Sequence, residues 1–252
     1  MKKSPEIKYN FRGKTVVITG ASRGIGNAVA SAFLDAGASV VNLSRTKPVN
    51  IRSKNFLSVT LDVNDIAGIE KWISEFTQKK DIDIWINNAG IYPEGLLSNT
   101  TEEEWDMIMN TNLKSLFFAS KKIAEHMRKI RHGVIINAGS LAAKIPSLNR
   151  SVYSVSKIAV LGLTKIMAAE WAKYGIRVNS YSPGFILTDM TKKLAREKSK
   201  VVTSQIAMKR VGKPEDVAKG ILFLASEASA YITGADVEIS GGKLLVQNLD
   251  QK

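Results

Sequence analysis

The sequence predicts an α/β fold, in which one doubly wound domain holds a seven-stranded parallel sheet with helices on both faces. Short β-branched runs alternate with helical patterns along most of the 252 residues, as in sheets built from strand–helix–strand units. A glycine-rich turn joins the first strand to the first helix, a common connection in such sheets. No repeat, linker or low-complexity tract divides the chain. We therefore expect one domain over residues 1–252, with residues 1–13 as an N-terminal extension.

Seven short runs, most of them rich in valine and isoleucine, predict the strands. In a sheet covered on both faces such runs are apolar throughout, because neither face meets water. The predicted strands are Thr15–Ile18, Ala38–Leu43, Phe56–Leu61, Ile82–Ile86, Gly133–Asn137, Ile176–Tyr181 and Asp236–Ile239.

Helical patterns occupy most of the connections between these strands. Apolar residues from Ile66 to Phe76 recur at the spacing of one helix face. Thr101 is a predicted N-cap, and Pro214, with two acidic residues behind it, marks the start of the last helix. The predicted helices are Asn27–Ala36, Asn64–Lys79, Thr101–Asn112, Leu113–Arg131, Val152–Tyr174 and Pro214–Ala225.

The composition excludes several classes of function. There is no cysteine, and there are only two histidines, so thiolate catalysis, disulfides, a histidine triad and a zinc site are not expected. Neither a signal peptide nor an uninterrupted apolar run of membrane-spanning length is evident, so we expect a cytoplasmic protein without membrane contact. The net charge of +13 attracts polyanions, although a solvated lysine-rich surface is an equally simple interpretation.

The glycine turn is the first candidate binding site. Its spacing is Gly20-x-x-x-Gly24-x-Gly26, whereas the common dinucleotide pattern is G-x-G-x-x-G. Glycines at a strand–helix corner let a phosphate approach the backbone N–H groups at the helix start. By itself the turn is weak evidence, because any such crossover can use glycine at its corners.

The residues around the second strand indicate which dinucleotide would bind. An acidic residue at the end of that strand would favour NAD, yet no Asp or Glu occurs between Asp35 and Asp62. Ser44 and Arg45 stand there instead, and Arg23 lies in the turn. Arginine suits a 2′-phosphate because it offers paired donors, so we expect NADP(H). The alternative is that both arginines are ordinary surface residues.

Tyr153 and Lys157 are the candidate proton-transfer pair. At positions i and i+4 of a predicted helix they are neighbours on one face. A phenol has a pKa of about 10, and a nearby ammonium lowers that pKa toward neutral pH. Such a pair can pass a proton to a substrate oxygen, but two unrelated helix residues would look the same.

Taken together, these motifs resemble the short-chain dehydrogenase/reductase family in its compact form. The resemblance extends from Lys14 to Gly242. Five ordered signals carry it, and their order and separation make coincidence a poor explanation. They are Thr19–Gly26, Asn87–Gly90, Ser140, Tyr153 with Lys157, and Ser182–Gly184 with Thr188.

The resemblance implies a Rossmann-fold oxidoreductase and assigns roles to individual residues. Tyr153 would be the general acid in reduction, Lys157 would lower its pKa, Ser140 would hydrogen-bond the carbonyl oxygen, and Asn112 would hold a water in the proton relay. A structural role for Asn112 is the alternative. The implied cofactor-binding residues are Gly20, Ser22, Arg23, Gly24, Ile25, Gly26, Ser44, Arg45, Asp62, Val63, Asn88, Ala89, Gly90, Tyr153, Lys157, Pro183, Gly184, Ile186 and Thr188.

Within the family, the chain looks most like 3-oxoacyl-acyl-carrier-protein reductases. That implies an acyl-thioester substrate and an acidic carrier protein that docks on basic residues, with Arg131 at a matching position. Tyr174 replaces the second docking arginine. Arg150 also departs from the pattern: it would bind an anionic group of the substrate or point to solvent. Phe185 is a second candidate substrate residue, and residues 188–212 resemble a substrate lid.

Several alternatives stay open at this stage. A small or anionic ketone, or a diketone, is the nearest alternative substrate. A regulator that binds NADP(H) without catalysis belongs to another class, although it would not need Tyr153. Nucleic-acid binding is not expected, because no reading helix or stacking motif is recognisable. Residues 210–216 and the last strand resemble the elements that form a homotetramer in the family.

Overall fold

The computed structural model describes residues 7–48, 50–197 and 199–245. Its strands are β1 (Thr15–Thr19), β2 (Ser39–Ser44), β3 (Phe56–Thr60), β4 (Ile84–Asn87), β5 (Gly133–Ala138), β6 (Ile176–Pro183) and β7 (Asp236–Ile239). They pair in parallel in one seven-stranded sheet of order β3-β2-β1-β4-β5-β6-β7. The predicted fold class is confirmed.

Eight α-helices are found in the described residues. They are α1 (Gly24–Asp35), α2 (Ile66–Thr77), α3 (Glu102–Met109), α4 (Ser115–Ile130), α5 (Ser151–Trp171), α6 (Lys192–Glu197), α7 (Ser199–Ser204) and α8 (Pro214–Ala225). A π-helical turn, Asn110–Lys114, joins α3 to α4. Such turns are rare and frequently mark functional sites.

The core forms two layers, one on each face of the sheet. Alternate residues of a strand point to opposite faces, and in β1 Val16 and Ile18 join the layer under α1 and α8, whereas Val17 joins the layer under α2, α4 and α5. The same alternation separates Ile86 from the fully buried Trp85 in β4. This explains why the strands read as continuous apolar runs in the sequence.

Some predicted boundaries were wrong. Helix α1 begins at Gly24, three residues before the predicted start, because the second glycine of the turn already takes part in the helix. The chain beyond Thr188 was predicted only as a lid, yet it contains α6 and α7. Residues 1–6 of the predicted extension lie outside the described residues. Within the rest, Phe11 is 5% exposed, packs on Phe33 and belongs to the core.

The apolar composition of helix α5 needs an explanation. Among the described residues, the stretch Ser151–Tyr174 is long and apolar enough for a membrane span, because an 18-residue window within it has a mean hydropathy of 1.4, although Lys157 and Lys165 interrupt the apolar run. The buried helix of a core passes the same test. Helix α5 buries Val160, Met167 and Ala168 against the sheet, which accounts for its apolar composition.

The strand order places the candidate site. From β1 the chain builds the sheet outward through β2 and β3, then returns to continue from β4 on the other side. Ligands of doubly wound sheets bind at this reversal, beyond the carboxyl ends of the strands. The glycine turn after β1, Arg45 after β2, Asn88 after β4 and Ser140 after β5 all lie along that edge.

Candidate active site

The turn between β1 and α1 forms a cradle that side chains would fill. Gly20 has a φ of +72°, and a Cβ atom there would lie 3.0 Å from the Cα of Ala89. A Cβ atom on Gly26 would overlap the side-chain amide of Asn88. Only glycine fits these positions, so the unpaired N–H groups and the positive dipole end of α1 stay open to an anion.

Asn88, the residue after β4, connects this turn to strand β6. Its Nδ2 donates to the carbonyl oxygens of Thr19 and Gly20, at 3.0 Å each, and its Oδ1 accepts from the Tyr181 hydroxyl at 3.0 Å. The hydroxyl of Thr19 accepts in turn from the backbone N–H groups of Asn88 and Ala89. Because both ends of the amide are occupied, the Asn88 side chain supports the cradle.

A buried asparagine in β2 supports the same turn and was missed by the sequence analysis. Asn42 is fully buried, and its Oδ1 accepts from the Ala21 N–H at 2.9 Å. Its Nδ2 donates to the hydroxyls of Ser44 and Ser58 at 2.8 and 2.9 Å. A polar residue inside the apolar run Val40–Leu43 was the available signal, since buried amides need partners.

The predicted phosphate contact of Ser44 is not supported by its geometry. The hydroxyl donates its only proton to the Thr46 carbonyl at 2.6 Å and accepts from Asn42. It therefore has no proton left to donate to a phosphate. Arg23, the N-cap residue of α1, and Arg45 are both exposed at this edge. The two arginines, with the half-buried Ser22, remain the predicted phosphate contacts.

The adenine side of the predicted site lies beyond β3. The carboxylate of Asp62 accepts from the backbone N–H of Asn64 at 2.9 Å, which shapes the turn into α2. Val63 lines a small cleft together with Thr19 and Ala89. Ile25, in the first turn of α1, packs against the core. Asp62, Val63 and Ile25 remain predicted cofactor contacts.

Tyr153 and Lys157 lie where the pattern predicts, on the first turns of α5. The Lys157 ammonium is buried, lies 5.8 Å from the centroid of the Tyr153 ring and donates to the Ala138 carbonyl at 2.7 Å. Burial lowers the pKa of Lys157 to about 8, because a buried cation loses its hydration. A lysine of this kind is typical of functional sites.

The pKa of Tyr153 differs in direction from the sequence-based expectation. Burial raises the pKa of Tyr153 to about 12, while hydrogen bonding by Ser140 and the charge of Arg150 lower it. The expected lowering by Lys157 is not found, and the desolvation of the phenol is the largest effect, since it disfavours the phenolate. The phenol is therefore fully protonated at neutral pH, as a proton donor must be.

Ser140 and Asn112 are both buried beside this pair. The Ser140 hydroxyl accepts from the Ala142 N–H at 3.1 Å. Asn112, in the π-helical turn, uses its amide entirely: Oδ1 accepts from the Ile91 N–H, and Nδ2 donates to the Ile91 carbonyl and to Ser156. This geometry favours the structural alternative for the Asn112 side chain, which joins the segment after β4 to α5.

The loop after β6 forms the opposite wall. A Cβ atom on Gly184 would approach the Ser240 backbone to 2.7 Å, so β6 and the end of β7 pack tightly at that point. Thr188 lies next to Gly24, where an added Cβ would meet its methyl group at 3.5 Å. The structure thus places Thr188 beside the cradle, whereas Pro183 at the end of β6 and Gly184 and Ile186 after it remain predicted cofactor contacts.

The two ends of the predicted lid, residues 188–212, lie next to each other. Its ends are joined by backbone bonds between Leu187 and Gly212 and between Gly212 and Phe185. The half-buried Phe185 therefore lies at the base of this segment. A segment with adjacent ends can move without disturbing the sheet.

Arg131 and its neighbours form a basic surface at the end of α4. Arg131 has a left-handed backbone, with φ of 52°, and donates to the Lys173 carbonyl at 3.0 Å. Arg128 stacks on the Tyr174 ring, 4.4 Å from its centroid. Lys129 is exposed. The cluster therefore presents several cations on one exposed face.

Comparisons with known proteins agree with this site. A family model described as enoyl-(acyl carrier protein) reductase matches residues 20–243. The 3-oxoacyl-[acyl-carrier-protein] reductase FabG of Vibrio cholerae is 38% identical over 243 residues, covering 94% of this chain and 100% of the relative. The 2-dehydro-3-deoxy-D-gluconate 5-dehydrogenase of Dickeya dadantii is 36% identical, covering 94% and 97%. The solved structure of ElxO with NADP bound has a TM-score of 0.87 at 34% identity, covering 92% and 99%.

The fold and the site define an oxidoreductase of the dinucleotide-binding α/β class. The chain belongs to the short-chain dehydrogenase/reductase family, as the sequence analysis predicted. It is an enzyme that acts on CH–OH and C=O groups.

Proposed function

We propose that this chain is an NADPH-dependent carbonyl reductase that converts a ketone to a secondary alcohol. The observation that carries the proposal is the half-buried Tyr153 with the buried Ser140 and Lys157, beside an open glycine cradle. A protonated phenol next to a serine hydroxyl suits a carbonyl oxygen that becomes negative as it is reduced. A protein that merely binds a dinucleotide has no use for these groups.

NADP(H) is the cofactor that fits the residues present. The cradle excludes side chains at Gly20 and Gly26, and the exposed guanidiniums of Arg23 and Arg45 lie at the end where a 2′-phosphate would be held. ElxO, which is 34% identical, was solved with NADP bound, in agreement with the predicted cofactor. The nicotinamide, when bound, supplies the hydride.

The residues of this chain supply the proton and the electrostatic setting. Ser140 donates a hydrogen bond toward the substrate oxygen, and Tyr153 gives that oxygen its phenolic proton. The buried Lys157 ammonium, held by Ala138, favours the phenolate that results.

Replacement of Arg45 tests the cofactor preference. In Arg45→Asp a repelling carboxylate takes the place of a donor pair, so we expect the NADPH affinity to fall about tenfold or more while the NADH affinity changes little. Fluorescence titration of each reduced cofactor measures both constants. Lys79→Asp, an equal charge change at an exposed position before β4, is the control. Equal losses for both cofactors would contradict the assignment.

Replacement of Asn42 tests how the turn is supported. Asn42→Leu leaves the Ala21 N–H without its acceptor, and a buried unpaired donor costs about 2 kcal/mol of unfolding free energy. We expect the NADPH affinity to fall several-fold in a folded variant. Urea unfolding and cofactor titration give the two values. Ser58→Ala removes one partner of Asn42 but not the turn contact, so it should leave the affinity near that of the parent.

A 3-oxoacyl thioester on an acidic carrier protein is the proposed substrate. The support comes from the 38% identical FabG of Vibrio cholerae and from the exposed cations around Arg131. An acidic protein would associate with such a face through complementary charge. NADPH oxidation with acetoacetyl-acyl-carrier protein, followed by nicotinamide absorbance, tests the reaction.

Charge reversal at Lys129 tests the docking face. In Lys129→Glu we expect KM for the acyl-carrier-protein substrate to rise several-fold at low salt, because rim charges mainly affect association. KM for the coenzyme A thioester should stay the same. Lys54→Glu carries the same charge change at an exposed position before β3, an edge strand of the sheet, and serves as the control. If both variants behave alike with both substrates, the face has no part in docking.

A small anionic ketone is the second candidate substrate. The support is the 36% identical sugar-acid dehydrogenase of Dickeya dadantii and the basic lid, where Arg196 and Lys200 are exposed. A panel of keto acids assayed beside the acyl thioesters separates the two candidates. Turnover confined to the keto acids would move the assignment to this class.

For assembly we propose a homotetramer, and for location the cytoplasm. Helix α8 and strand β7 correspond to the elements that form tetramers in the family. The guanidinium of Arg210, which precedes α8, forms an ion pair at 2.6 Å with Asp216 in the first turn of that helix. Light scattering that reports a monomer would argue against this assembly.

A further inference from the structure

The sequence alternatives for Arg150 were a substrate contact or a side chain that points to solvent, and the structure shows a third arrangement. The Arg150 side chain is 11% exposed, and its Nη2 lies 2.6 Å from the Glu94 carboxylate. The guanidinium also lies over the Tyr92 ring, 4.0 Å from the centroid. The Nη1 atom is buried and has no partner among the described residues. A substrate anion would therefore meet only this one nitrogen of Arg150, because Glu94 already pairs with Nη2.

The Tyr92 ring connects this cation to the proton donor. Tyr92 and Tyr153 meet edge to face, with centroids 4.6 Å apart and planes at 78°. Aromatic pairs favour this arrangement, and a cation over a ring face adds to it. Glu94, Arg150, Tyr92 and Tyr153 therefore form one continuous row of contacts.

The backbone holds the same segment against the start of α5. The Gly95 N–H donates to the Asn149 carbonyl at 3.0 Å, and the Ser151 hydroxyl donates to the Gly95 carbonyl at 3.4 Å. At the other end, the Asn112 amide pairs with both backbone groups of Ile91. Residues 91–95 are thus fixed at both ends, with Arg150 between them.

We propose that Arg150 is a positioning residue for the proton donor, which it serves by holding Tyr92 against Tyr153 and by placing one partly neutralised cation beside it. The inference rests on the proposed carbonyl reduction. Glu94 partly cancels the positive charge of Arg150 at Tyr153. The cancellation is incomplete, because the Glu94 carboxylate is 77% exposed and pairs with only one nitrogen of the guanidinium. Removal of the Arg150 charge and removal of the Glu94 charge should therefore shift the pKa of Tyr153 in opposite directions.

The charges around Tyr153 support this division of roles. Two cations face Tyr153, namely Arg150 at the N-cap of α5 and Lys157 within that helix. Two further phenols face it, namely Tyr92 in the segment after β4 and Tyr181 in β6. Glu94 and Glu104 line the cleft beside it. The charge of Arg150 lowers the pKa of Tyr153, against the effect of burial. Removal of the cation therefore makes the phenolate harder to form.

The test measures pH–rate profiles in both directions of the reaction. In Arg150→Met we expect the rise of alcohol oxidation with pH to move upward by about one unit, because one of the two cations near the phenol is lost. In Glu94→Gln the profile should move downward by a few tenths of a unit, because the cation is then uncompensated. Glu102→Gln, an exposed carboxylate in α3, should leave the profile unchanged.

The outcomes separate this role from its alternatives. Lower kcat in both variants without any movement of the profile would mean a purely structural role and overturn the inference. A rise in KM for keto acids alone, again with an unmoved profile, would make Arg150 a substrate-binding residue instead. If Arg150→Met does not fold, Glu94→Gln carries the test, because Glu94 is exposed. A parent enzyme without turnover would remove the proposed function, and this inference with it.

Discussion

Tyr153→Phe is expected to lower the rate of carbonyl reduction by about 10²- to 10⁴-fold, the usual contribution of a positioned general acid. The substitution removes one oxygen and keeps the ring, so the edge-to-face contact with Tyr92 survives. The NADPH affinity should stay within a few-fold of the parent, because the cradle and the arginines are untouched. Steady-state NADPH oxidation and cofactor titration measure the two effects separately.

Tyr9→Phe is the matched control for this loss. It removes the same atom from a tyrosine whose ring lies 6.3 Å from Phe11, beyond the opposite edge of the sheet, and should leave turnover as it is. Residual activity above about a tenth of the parent in Tyr153→Phe would mean that another group donates the proton. A loss of NADPH binding would instead assign Tyr153 mainly to cofactor contact.

The pKa of Tyr153 also sets a direction for the pH dependence. With a pKa near 12, the phenol stays protonated across the neutral range, so reduction should be nearly flat with pH. Alcohol oxidation needs the phenolate, and it should therefore accelerate as the pH rises.

The strands and the glycine cradle could be predicted because their signals are local. A β-branched run, a glycine turn and a helix follow one another in sequence, and Tyr153 and Lys157 are neighbours through helix geometry alone. The contacts that tune these groups are not local. Arg150 pairs with Glu94 across 56 residues, and Asn42 reaches Ala21 across 21. The spacing of apolar residues along the sequence cannot indicate contacts between residues this far apart.

The direction of the Tyr153 pKa could not be predicted for a related reason. Sequence spacing supplies the distance from Lys157 but not the depth of burial, and desolvation is the larger effect at this site. The same limit applies to Ser44, whose position suggested a phosphate contact while its hydroxyl is occupied by Thr46 and Asn42.

Lys157→Met should combine a large loss of activity with a gain in stability. The folded-state pKa of about 8 lies below the ordinary lysine value of 10.5, so the unfolded chain binds more protons between those values. Stability therefore rises with pH across that window, and below it the buried ammonium costs the folded state about 3 kcal/mol. Methionine removes the cost, although the Ala138 carbonyl loses its donor. We expect a net gain of about 1–2 kcal/mol at pH 7.

The pH dependence of the gain separates this cause from better packing. The difference in unfolding free energy between Lys157→Met and the parent should shrink toward pH 10, where the folded parent is already neutral at this position. Urea unfolding from pH 7 to 10 measures it, with the exposed Lys165→Met, two turns further along α5, as control. A constant gain at every pH would mean that the ammonium is not destabilising. A destabilising charge four residues from the proposed proton donor is what a catalytic role of Lys157 predicts, because proteins retain such costs where function needs them.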